Sequence, residues 1–87
     1  MIFYKEHRVW KRKGDQLILF RCFELLPEGG FCVQSSDTFH KMEYKERSDF
    51  FDRQFIELLV DEAPEKRSGL FSTLAEAILD HEHCFSL

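Results

Sequence analysis

The sequence predicts an α+β domain: a three-stranded antiparallel β-meander followed by two α-helices packed on one face of it, in the order βββαα. Three observations carry this expectation. Residues 2–40 hold apolar runs divided by two short turn-forming segments, Lys13-Gly14 and Pro27-Glu28-Gly29. From Ser48 onward the apolar period lengthens to that of a helix. The 87 residues, 44% hydrophobic and 32% charged, are enough for a single folded domain spanning 1–87 and too few for a second core.

The first strand is read over residues 2–12, which contain Ile2, Phe3, Tyr4, Val9 and Trp10 and run into Gly14, a residue free to take the positive φ of a tight hairpin. With Lys13-Gly14 as a two-residue loop, Arg12 faces Asp15, Trp10 faces Leu17, Glu6 faces Arg21 and Tyr4 faces Phe23. Opposite charges and apolar partners then coincide. The second strand, residues 16–26, is apolar on both sides: Leu17, Leu19, Phe23 and Leu25 on one, Ile18, Phe20, Cys22 and Leu26 on the other. That pattern belongs to a central strand.

Pro27-Glu28-Gly29 fits a three-residue hairpin loop, with proline setting φ and Gly29 in the left-handed position. Leu26 would then pair with Gly30, Phe23 with Val33, Leu25 with Phe31 and Leu17 with Phe39. In this register the third strand sends its apolar side chains to the face that carries Leu17 and Phe23, where the helices are expected.

Phe51, Phe55, Leu58 and Leu59 fall at helical spacing, with Asp49, Arg53 and Glu57 as an i, i+4 ladder of alternating charge. Ser48 or Asp49 is the expected cap of this helix, and Pro64 its end. Residues 65–69 read as a linker. Thr73 and Glu76 form a capping box for the second helix, whose Leu74, Ala77, Ile78 and His81 continue one face.

Composition bounds the function. The longest apolar run is four residues, against the roughly 20 needed to span a bilayer, and no signal-peptide core is present. Three cysteines, Cys22, Cys32 and Cys84, suit free thiols in a reducing cytoplasm, the expected location. In the expected register Cys22 and Cys32 are diagonal neighbours about 7–8 Å apart, too far for an unstrained disulfide. Residues 1–41 hold seven Lys/Arg against five Asp/Glu, and residues 42–87 five against eleven, so the overall charge of −4 offers no field that would gather nucleic acid or anionic lipid. No membrane partner is expected.

Three constellations bear on chemistry. In Asp80-His81-Glu82-His83-Cys84, a helix would point His81 and His83 about 200° apart, leaving only His81 and Cys84 on one side, too few ligands for zinc. The helix C-terminus, negative in its dipole, would also hold the Cys84 thiol protonated. No phosphate loop, nucleophile elbow or buried carboxylate pair is present, so no catalysis, cofactor or metal is expected. Lys5, Arg8, Lys11, Arg12 and Lys13, interleaved with His7 and Trp10, form a basic hairpin of a kind that can contact nucleic acid, though the overall negative charge favours the simpler role of keeping an edge strand soluble.

The third constellation is the sheet face away from the helices. Val9, Ile18, Phe20, Cys22, Leu26 and Cys32 would share it, bordered by Lys5, His7, Gln34, Thr38 and His40. An apolar patch with a polar rim marks a protein contact unless a helix folds over it. The sequence thus points to a small non-catalytic module that binds a protein partner or forms a homodimer through this face, with a nucleic-acid-binding module using residues 5–13 as the alternative.

Overall fold

Apolar side chains on both sides of one strand decide the architecture. The computed structural model describes residues 1–40 and 44–85, the side chains of 44–48 excepted. Strands β1 (Phe3–Lys13), β2 (Gln16–Leu26) and β3 (Phe31–His40) form an antiparallel meander in the order β1-β2-β3, with β2 in the centre. Helices α1 (Tyr44–Asp61), α2 (Pro64–Ser68) and α3 (Leu74–Phe85) follow, and α1 and α3 are the substantial ones.

These two helices lie on opposite faces, which corrects the expectation that both pack on one. Phe23, Leu25 and Cys32 form one core with Phe55 and Leu59 of α1, and Phe55 stacks on Phe23 with ring centroids 5.2 Å apart. Ile18, Phe20, Cys22 and Val33 form the other with Leu74, Ala77 and Ile78 of α3. The physical reason is the two-sided apolar pattern of β2: burying a large apolar side chain is worth about 1.5–3 kcal/mol, so an uncovered face carrying Ile18 and Phe20 would forfeit several kcal/mol.

The chain passes from one face to the other around the outer edge of β3. Pro64 begins α2, where its missing N–H costs nothing, and Gly69 after it has φ +77°, a left-handed turn that suits glycine. The stretch read as a linker is therefore mostly helix. Ser68 Oγ donates to the Val33 carbonyl at 2.6 Å. Phe31 and Phe71 then exchange two backbone hydrogen bonds of 2.9 Å each, a bridge that engages the start of this edge before α3 begins.

Two registers differ from expectation. In the first hairpin the loop is Gly14-Asp15, with Gly14 at φ +61°, so Trp10 pairs with Leu19, Tyr4 with Leu25 and Glu6 with Phe23. That two-residue slip keeps every side chain on its expected face. In the second, Leu17 does pair with Phe39, but the register shifts between Arg21↔Ser35 and Cys22↔Val33, leaving Gln34 as an extra, bulged residue. One extra residue reverses the faces beyond it. Val33 and Phe31 therefore join the α3 core, Phe39 stays on the α1 side against Phe51 at 5.5 Å, and Cys22 and Cys32 lie in opposite cores. All three cysteines are free.

Helix α1 begins at Tyr44, so Asp49 is inside it and does not cap it; the Ser48 side chain lies outside the described residues. Half of the expected capping box is present: the Glu76 N–H donates to Thr73 Oγ1 at 3.1 Å, while the Glu76 carboxylate accepts from Ser72 Oγ at 3.0 Å in place of the Thr73 N–H.

Candidate functional site at the open edge of β1

The residues expected to form a contact face do not form one. Ile18, Phe20 and Cys22 are buried beneath α3, with Phe20 only 1% exposed and edge-on to His81 at 5.9 Å. Val9 packs against the same core. Cys32 is buried on the other side, beneath α1, and Leu26 remains at the rim of the sheet, 37% exposed. The helix expected elsewhere covers the patch.

What remains open is the edge of β1. Among the described residues this 11-residue strand is paired on one side only, with β2, whereas the other edge strand, β3, is bridged by Phe71. Alternation along β1, read through its pairing with β2, sets out two rows of side chains. Tyr4, Glu6, Arg8, Trp10 and Arg12 lie on the α1 side, and Phe3, Lys5, His7, Val9, Lys11 and Lys13 on the α3 side.

Several of these groups are committed within the domain. On the α3 side, His7 Nε2 lies 2.9 Å from Glu24 Oε1, and the Lys11 ammonium donates to Glu82. On the α1 side, the Tyr4 hydroxyl donates to Glu65 at 2.8 Å, and hydrogen bonding to that carboxylate holds its pKa above the usual value. Arg8 lies over the Trp10 ring, 5.8 Å from its centroid, and 4.0 Å from Asp52. Trp10 is 40% exposed and its ring centroid lies 6.0 Å from that of Phe39. Lys5, Arg12 and Lys13 are exposed and have no ion pair among the described residues.

Behind this row sits a buried cation that sequence reading missed. Arg21, on β2 and 1% exposed, donates through Nε to Asp37 at 2.8 Å and through one terminal nitrogen to Asp52 at 2.6 Å, with its guanidinium over Phe55 at 5.3 Å. Its second terminal nitrogen and Gln34 Oε1 are buried without a hydrogen-bond partner among the described residues. Asp52 stands between Arg21 and Arg8, so the carboxylate that neutralises the buried arginine also faces the β1 row. A lone Arg inside an apolar strand was the available signal, because a buried guanidinium must have partners.

The C-terminal histidines separate as helix geometry requires. His81 turns inward, with Nε2 2.9 Å from Ser36 Oγ, and His83 is exposed. Burial lowers the His81 pKa, against the opposing pull of Asp80 and Glu82. His81 and Cys84 share a cleft of about 290 Å³ with Phe71, Asp80 and Phe85, and the Cys84 thiol points toward Asp80 at 3.9 Å. Among the described residues no three His, Cys, Asp or Glu side chains are placed to hold a metal ion, and no helix is long and apolar enough to cross a membrane. Comparison with protein-family models, with curated proteins and with solved structures returned no match.

Proposed function

We propose that this domain is a small, non-catalytic module that binds a protein partner along β1. The observation behind it is the asymmetry of the sheet: the β3 edge is engaged at its start, by Phe71 at Phe31 and by Ser68 of α2 at Val33, whereas the 11-residue β1 has no outer backbone partner among the described residues. Exposed apolar side chains flank the free edge, Phe3 at one end and Trp10 with Leu17 toward the other. Three free cysteines suit a reducing compartment such as the cytoplasm.

Nucleic-acid binding draws less support. Alternation sends Arg8 and Arg12 to one side of the sheet and Lys5, Lys11 and Lys13 to the other, and Lys11 is held by Glu82, so the five cations do not make one surface for a phosphate backbone.

A photo-crosslinking side chain placed at Lys5 or Lys13, with Glu57 on α1 as control, tests the proposal in lysate of the source cells. The expected result is a stoichiometric, nuclease-resistant protein adduct from the β1 positions alone. A nuclease-sensitive adduct would give the function to nucleic acid, and equal adducts from Glu57 would remove β1 as the surface.

A further inference from the structure

We infer that the segment accepted by β1 is extended and carries an apolar residue with a carboxylate two positions to either side. This deepens the interaction function proposed above and rests on it. A strand added to β1 sets its side chains opposite those of β1 at about 4.5–5.5 Å between Cβ atoms, each face repeating every second residue. On the α1 face the row it meets is Arg8, Trp10, Arg12. An apolar side chain opposite Trp10 covers the exposed part of the indole, and carboxylates two residues before and after it meet Arg12, which has no ion pair among the described residues, and Arg8, whose only carboxylate neighbour there is Asp52 at 4.0 Å. The row has cation, aromatic and cation in either direction, so the pattern holds for parallel and antiparallel addition.

The opposite row adds charge but little selection. Its centre is Val9, flanked by His7 and Lys11, which already hold Glu24 and Glu82. Lys5 and Lys13 at its ends are unpaired among the described residues and favour a partner of negative charge generally. The strand Phe3–Lys13 contains five Lys/Arg and one Glu, a net +4 in a chain of −4, so all other residues together carry −8. Positive charge is therefore concentrated on the strand that has no outer partner among the described residues.

The same charges argue against a second copy as the occupant. Antiparallel self-pairing brings two strands of net +4 together, and when centred on Arg8, Val9 or Trp10 it sets Arg8 opposite Arg8, Lys5 opposite Lys13 or Arg8 opposite Arg12; centring on His7 instead sets Glu6 opposite Arg8 but leaves the net repulsion. Like charges directly opposite are destabilising. An acidic strand meets the reverse situation.

Trp10 is the only tryptophan, so its emission reports occupancy of this edge without a label. The probes are a capped peptide Thr-Glu-Thr-Val-Thr-Glu-Thr, its twin with lysine for glutamate, and a short single-stranded oligonucleotide. The acidic peptide is expected to change Trp10 emission saturably, to slow amide exchange along β1, and to weaken with added salt. Arg12→Glu, at an exposed position, should reduce its affinity about tenfold or more, the size of one lost charge-assisted hydrogen bond, and a peptide with one of its two glutamates changed to lysine should recover part of that loss. Equal binding of both peptides, or binding of the oligonucleotide alone, would overturn the inference. So would an absent response to the acidic peptide while crosslinks from Lys5 and Lys13 persist, and that outcome leaves the interaction function standing, whereas loss of the crosslinks removes both.

Discussion

Phe20 shows how far a single side chain depends on what covers it. Read from the sequence it sits mid-patch on an open face; in the fold it is at the centre of the α3 core. Phe20→Ala is therefore expected to cost about 3–5 kcal/mol, the range for a buried phenylalanine, and Phe20→Glu to leave no folded protein, both measurable by denaturant titration with circular dichroism. The thiols divide in the same way. Burial pushes Cys22 up to about 12 and Cys32 to about 11, so both stay protonated and shielded, while Cys84 is exposed. A thiol reagent at pH 8 should label one cysteine in the native protein and three in denaturant. His81 supplies the pH response. Its folded pKa lies below the usual 6.5 because burial disfavours the charged ring, so the unfolded chain binds a proton that the folded state resists. Stability should hold above about pH 6.5 and fall as pH drops toward the lowered value, by at most about 1.4 kcal/mol per pH unit. Urea titrations at pH 7.5 and 5.5 should show the loss, and in His81→Asn the difference should shrink.

At the scale of elements, local chemistry was legible where it acts within a few residues. The bounds of β2, its central place and the Thr73 cap of α3 follow from alternation, from apolar side chains on both sides and from a hydroxyl three residues before a glutamate. Thr73→Ala should cost about 1 kcal/mol, the ordinary value of such a cap, read as a lowered denaturation midpoint with unchanged slope. The bulge at Gln34 was not legible. A strict period of two sets Phe31, Val33 and Phe39 on one face, and nothing in residues 31–40 alone marks where that period breaks. Its determinants lie elsewhere in the chain: the Gln34 amide nitrogen donates to the Phe55 carbonyl of α1 at 2.9 Å, and Ser68 holds the Val33 carbonyl. The start of α1 at Tyr44 was likewise hidden, because the apolar period that reveals the helix begins only at Phe51.

For the whole molecule the consequential feature is the route of the chain. It crosses from the α1 face to the α3 face around β3, engaging the start of that edge, whereas β1 has no outer partner among the described residues. With a net +4 on β1, pairing of two copies along this edge should be disfavoured most at low ionic strength, where light scattering is expected to find a 10.4 kDa monomer. A dimer there would mean that some other surface is used.

By itself the sequence determined the α+β class, the meander, its central strand, and the alternating cation and indole side chains of β1, because backbone period and turn chemistry are properties of neighbouring residues. Which face each helix covers, where the bulge falls and which edge stays open were decided only by tertiary structure. Two apolar faces of one strand compete for two helices, and that competition is resolved by the total area buried across residues far apart in the chain.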